Sequence, residues 1–274
     1  MSTRHHLGTG GGEELTYEGY LRIQELVRLQ QCRSKPVHHD ELLFIITHQA
    51  YELWFKLILF ELDGALESMQ AGDAAAATHS LRRIVRVEQL LVQQIHIMET
   101  MRPVDFLGFR EQLNPASGFQ SIQFRELEAS SGLGSPEILA EFQDDAEIQA
   151  RLRGRMEGTT LPQAFRALLR ARGLEQPEGD DEAAVGQRVQ ALAALYQQPG
   201  SNQDLVDLAE ELISHDEQIQ LWRFHHVRMV ERMIGFKKGT GGSEGVAYLQ
   251  STLGKKGFPD LWAVRTHLRP ETGG

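Results

Sequence analysis

The chain has 274 residues, 41% hydrophobic and 24% charged, the makeup of a globular protein with room for one large domain, or one domain with a small appendage. A formal net charge of −10 repels phosphate backbones and argues against nucleic acid as a partner. The single cysteine, Cys32, excludes an internal disulfide framework and a thiolate metal cluster. No apolar run reads as bilayer-spanning, and the first residues lack the apolar core of a signal peptide. No membrane association and a cytoplasmic setting are therefore expected.

Residues 1–14 are rich in glycine and read as a flexible leader, with His5 and His6 solvated. The remainder, 15–274, reads as a single helical domain. Leu15 to Gln31 has helical spacing, with Tyr17, Tyr20, Leu21 and Leu29 on its apolar side. A short helix behind such a leader suits packing on a neighbouring subunit. Pro36 breaks the next loop, and Asp40 reads as the N-cap of a long helix reaching Met69. Along it Phe44, His48, Tyr51, Phe55, Ile58, Leu62, Ala65 and Met69 recur at alternating spacings of 4 and 3. Further apolar residues fill the flanks, which predicts a helix buried on nearly all sides. His48 is an ionisable group on that oily stripe.

A third long helix runs from about Ala74 to Met101, with Leu81, Ile84, Leu91, Ile95 and Met98 inside and Arg82, Arg83 and Arg86 outside. His79 and His96 on it read as structural or solvated. Pro103 opens a shorter helix, closed by Asn114-Pro115, that sets Arg110 among Phe106, Phe109 and Leu113. Ser117 reads as the cap of the next helix, which ends at Gly132. From 135 to 200 the pattern weakens into short helices, a small helical excursion on the main bundle. The last long helix spans Asp204 to Gly235 and carries Leu208, Leu212, His215, Ile219, Trp222, His226, Met229 and Met233 on one face. The loop GTGGSEG follows, and FPDLWAV is the one apolar element of the tail.

Two imidazoles on apolar stripes of two helices are either hydrogen-bonded core residues or metal ligands. Glu-x-x-His and His-Glu-x-x-His motifs are both missing, so neither a di-iron carboxylate bundle nor a zinc protease site is encoded. A lone histidine as the sole protein ligand is how a haem iron is held, because the porphyrin supplies four nitrogens. Arg110 beside aromatic residues suits either a two-point contact with a carboxylate or a surface ion pair. The glycine loop suits an anion or a hinge. No Ser-His-Asp or Cys-His arrangement emerges.

Four stretches, LTYEGYL, HDELLFIITHQAYELWFKLILFEL, DFLGFREQLNPASGFQSIQFRELE and LWRFHHVRMVERMIGFKKGTGGSEGV, resemble the signature segments of the tryptophan 2,3-dioxygenases, in the same order from about Leu15 to Phe258. The resemblance implies an all-α fold, a buried long-helix bundle around one haem b per subunit, ferrous in the active form, assembled as a homotetramer. It implies insertion of both atoms of O2 across the indole C2–C3 bond of L-tryptophan, giving N-formyl-L-kynurenine. Matched motif to motif, His226 falls on the proximal haem ligand and His48 on the distal histidine facing the indole N–H. Phe44, Ile45, Ile46 and Thr47 fall on the pocket segment, Arg110 on the carboxylate clamp, and Phe106, Leu113 and Ser117 on the same region. Thr240 falls on a loop closing over the amino-acid end of the substrate. Tyr17, Tyr20 and Leu21 fall on residues lent to a neighbouring subunit's pocket. A paralogue oxygenating a substituted tryptophan or tyrosine, and a non-catalytic haem-binding bundle, remain as alternatives.

Overall fold

The computed structural model describes residues 15–237 and 245–270; the leader and most of the GTGGSEG loop lie outside them. All regular elements among the described residues are helical. Three long helices form the frame: α3 (Glu41–Gln70), α4 (Ala74–Met98) and α10 (Gln203–Ile234). α4 lies between the other two and packs along both. Before them come α1 (Tyr17–Leu21) and α2 (Ile23–Leu26). Between α4 and α10 come α5 (Pro103–Arg110), α6 (Ile122–Ser130), α7 (Ala146–Glu157), α8 (Leu161–Ala171) and α9 (Glu182–Gln197). After α10 come α11 (Val246–Ser251) and α12 (Pro259–Val264).

The core follows the predicted stripes. Phe55, Ile58, Leu62 and Ala65 of α3 meet Leu81, Ile84, Leu91 and Ile95 of α4 and Leu208, Leu212 and Ile219 of α10. Residues of α8 and α9, among them Phe165, Leu168, Leu192 and Leu195, belong to the same core. Asp73 caps α4 by accepting from the Ala76 N–H at 2.9 Å. Asp40 begins α3 by position, but its side chain makes no capping bond.

Four expectations from the sequence are corrected. The stretch 15–31 is not one helix: α1 and α2 are broken at Arg22, whose φ of 51° is left-handed. Tyr17, Tyr20 and Leu21 there are exposed, and a short helix with no buried face has little to hold it together. α3 is not buried all round: Leu42, Ile46, Leu53 and Phe60 form an exposed outer strip, Phe60 at 73%. By length and composition α3 also qualifies as a membrane span; its inner face packed in the core is the setting of a core helix. Finally, Ser117 caps a 3-10 turn, Gly118–Gln120, and Ser121 caps α6.

A buried polar seam stitches the frame. His215 Nδ1 lies 2.9 Å from Glu88 Oε1 of α4, and its Nε2 lies 2.8 Å from Ser131 Oγ in the turn after α6. The sequence showed no such Ser-His-carboxylate set. All three residues are buried, so the set joins three elements and meets no substrate. Next to it Asp216 accepts from the N–H of Gly257 at 2.9 Å and from the Trp262 indole at 2.8 Å, fixing the C-terminal segment to α10. Replacing Asp216 by Ala is expected to cost about 3 kcal/mol, the scale of losing two bonds to a buried charge. Urea unfolding measures it, and a loss within about 0.5 kcal/mol, typical of a surface change, would contradict the anchoring role.

Candidate active site

The candidate site lies at the N-terminal half of α3 and the C-terminal ends of α4 and α10. There they enclose, with α5, α6 and α11, a cavity of about 290 Å³. Periodicity selects most of what α3 contributes: Phe44, His48, Tyr51 and Phe55 of the inner face line it, joined by Glu52 beside Tyr51. Ile45, Ile46 and Thr47 do not line it; Ile46 is exposed and Thr47 buried elsewhere. α10 contributes Trp222 and His226, one turn apart. His225 is rotated away and meets His96 of α4 edge-on at 5.2 Å.

Each imidazole is held by its surroundings. His48 opens onto the cavity, with its ring centroid 4.0 Å from that of Phe44. Its Nδ1–H donates to the Phe44 carbonyl at 2.8 Å. A carbonyl only accepts, so the proton sits on Nδ1 and Nε2 keeps its lone pair. Burial lowers the pKa of His48 below 6.5, against smaller opposing effects of the Phe44 bond and the Glu52 charge. His226 is stacked on Trp222, centroids 4.9 Å apart and planes within 8°. Burial first, then the charges of His48 and Arg125, push its pKa down to about 4. His226 is therefore neutral at physiological pH, and neither of its ring nitrogens hydrogen-bonds a described residue. Trp222 meets Tyr51 edge-on at 6.2 Å, and the Tyr51 hydroxyl donates to the Leu91 carbonyl at 2.7 Å. The stack on α10 is thereby referenced to both α3 and α4.

One end of the cavity is aromatic. Phe44, Phe106 and Phe109 pack within 5.4 to 5.8 Å of one another. Arg110, half-buried, lines the cavity at the last turn of α5. Leu113 packs against the Phe109 cluster without reaching the cavity wall, and Ser117 reaches it. Tyr17, Tyr20 and Leu21 do not line the cavity of their own chain, and Thr240 lies outside the described residues. Sequence spacing missed Glu52, Arg125, Glu128, Arg223 and Tyr248, all of them lining residues. Glu52 accepts from Ser121 Oγ at 2.6 Å and Gln123 Nε2 at 2.7 Å, which ties α3 to the start of α6.

Among the described residues no group of three His, Cys, Asp or Glu side chains could cage a bare metal ion. A neutral imidazole with no other bond, set in an apolar wall, instead matches an iron already held by four nitrogens of a planar macrocycle. The family model for tryptophan 2,3-dioxygenase matches residues 2–184 and 182–268. The tryptophan 2,3-dioxygenase of Nocardioides sp. is 45% identical over 262 residues, 94% of this chain and 96% of the relative. That of Herpetosiphon aurantiacus is 45% identical over 263 residues, 93% and 99%. That of Xanthomonas euvesicatoria is 40% identical over 270 residues, 94% and 91%.

The chain belongs to the tryptophan 2,3-dioxygenase family. Membership supports a haem-dependent dioxygenase reaction in general, and the donor set around His226 fits that cofactor.

The low pKa of His226 has a consequence for stability. The unfolded chain protonates this residue near pH 6.5, the folded one only near 4. As pH falls through that window the unfolded state takes up a proton that the folded state refuses, so stability declines; above the window this cost vanishes. In cofactor-free protein, His226→Leu is expected to shrink the loss of urea stability between about pH 7 and about pH 5. Equal losses in both proteins would contradict a suppressed imidazole.

Proposed function

We propose that the protein is a haem-dependent dioxygenase that adds both atoms of O2 across the indole C2–C3 bond of L-tryptophan, giving N-formyl-L-kynurenine. The observation that carries this reading is the pairing of two neutral imidazoles in one largely apolar cavity, with an arginine at its rim. His226 would hold the haem iron through its unprotonated ring nitrogen. The haem, when bound, supplies the activation of dioxygen, which no side chain here can provide.

The chain's own residues place the substrate. The Nε2 lone pair of His48 accepts the indole N–H, since its other nitrogen is committed to Phe44. An indole N–H is a very weak acid, so this bond orients the ring and need not remove the proton. Phe44 and Phe106 form the apolar walls that exclude water from the reacting carbons. Arg110 takes the substrate carboxylate in a two-point contact. With both ends of the amino acid fixed, the reacting C2 and C3 are held in one orientation. Tyr17, Tyr20 and Leu21, apolar and exposed in the single chain, complete the pocket of a neighbouring subunit in a homotetramer.

Ferrous protein given L-tryptophan and isotopically labelled dioxygen is expected to yield N-formylkynurenine carrying two labelled atoms. A single labelled atom, or no product, would overturn the reading. Arg110→Ala is expected to raise KM for L-tryptophan roughly tenfold to a hundredfold, the loss of a charge-assisted contact. Tryptamine, which lacks the carboxylate, should be used no worse by the variant; an equal loss on both would show that Arg110 does not read the carboxylate. His48→Ala is expected to keep haem while kcat/KM falls roughly tenfold, about 1.4 kcal/mol of positioning. Loss of haem instead would reverse the roles of the two histidines.

A further inference from the structure

The chain entering α3 is clasped around a buried carboxylate outside the cavity. Glu41, 1% exposed in the first turn of α3, accepts from the N–H of Arg33 at 2.6 Å, from the N–H of Ser34 at 3.0 Å and from the Ser34 hydroxyl. Ser34 Oγ in turn accepts from the His38 N–H at 2.8 Å. The His38 carbonyl accepts from the Glu41 N–H at 3.2 Å, and its Nδ1 accepts from the Asp40 N–H at 3.4 Å. A ring nitrogen that accepts carries no proton, so the His38 proton sits on Nε2. Bonds to backbone and ring together leave His38 little freedom, and a buried, satisfied network of this kind is rigid.

His38 carries that rigidity to α5. Its ring centroid lies 5.4 Å from that of Phe109. Gly108 comes so close that a Cβ there would stand 2.8 Å from His38 Nε2 and 2.9 Å from Cδ2; only glycine allows the backbone such an approach. Phe109 itself is fully buried beside Met98, Met101 and Met233. α5 has 8 residues, too few to hold a place without such neighbours. The same short helix brings Phe106 and Arg110 to the cavity wall, which neither His38 nor Glu41 lines.

We propose that His38 is a positioning residue for substrate binding: it is the seat on which α5 stands, and Glu41 keeps that seat in place. This rests on the reading of Arg110 as the contact to the substrate carboxylate. A guanidinium meets a carboxylate in two parallel bonds only in a narrow range of placements, and a shift of about 1 Å at a binding group costs up to roughly a hundredfold. His48 and His226 stand on α3 and α10, not on α5. Disturbing the seat therefore weakens the hold on the amino acid and leaves the haem side of the site intact, which raises KM and spares kcat.

The test is steady-state kinetics of the full-length, haem-loaded protein on L-tryptophan, with haem content read from the Soret band and folding from urea unfolding. His38→Ala is expected to raise KM at least roughly threefold, with kcat within about twofold of wild type and the Soret band unchanged. Glu41→Gln, which loosens the clasp without touching α5, should raise KM in the same way. Gly108→Ala drives a methyl group into the His38 ring and should also raise KM. Combined with His38→Ala it finds room, so the double variant should raise KM by less than the product of the two single factors. If His38→Ala does not fold, His38→Asn, whose amide oxygen can still accept from Asp40, is read by the same criteria. An unchanged KM in the His38 variant overturns the proposal. So do single factors that multiply in the double variant, or a fall in kcat and haem content in place of the rise in KM, as a merely structural residue would give. A wild type that loads haem and does not turn over L-tryptophan overturns the tryptophan reading itself, and this inference with it.

Discussion

The site depends on an imidazole that burial keeps neutral at physiological pH. His226 sits on a rigid 32-residue helix, stacked against Trp222 in a cavity wall. Burial there favours the neutral ring, and the charge of Arg125 pushes the same way. A neutral nitrogen lone pair with no competing hydrogen bond is what an iron ligand must be. The stack that produces it is held from two directions. Trp222 meets Tyr51 of α3, and Tyr51 is pinned to α4 through the Leu91 carbonyl. The three-helix frame thus fixes the ring as much as it fixes the core.

The cavity is apolar at one end and charged at the other. Phe44, Phe106 and His48 stand at the end where α3 meets α5. Arg125, Glu128 and Arg223 stand where α6 meets α10. Glu52 bridges between them by drawing the start of α6 onto α3. In the proposed function, a preorganised wall of this kind would let Phe44, Phe106 and His48 orient the indole.

The periodic part of this architecture was legible in the sequence, and the non-local part was not. Alternating 4 and 3 spacings placed His48 and His226 on inner faces, because helix geometry is local. The same geometry separates His226 from His225. The motif match supplied the roles of Arg110 and Ser117, and the structure brings both to the cavity wall. Ile45, Ile46 and Thr47 came with the same motif, yet they lie off the inner face of α3 and do not line the cavity. The Ser131–His215 contact joins residues 84 apart in the chain, and Ser121–Glu52 joins residues 69 apart; such pairings have no local spacing to announce them. The first helix failed for a different reason. Tyr17 and Tyr20 have an apolar pattern but no partner within their own chain, so pattern alone overstated its length.

In the proposed function, His226 alone among the side chains would hold the iron. Resonance Raman spectra of the ferrous protein test it most directly through the iron–histidine stretching band. The band should be present in wild type, absent in His226→Gly, and restored when free imidazole is added to that variant. An unchanged band in His226→Gly would assign the iron to another ligand and contradict the account.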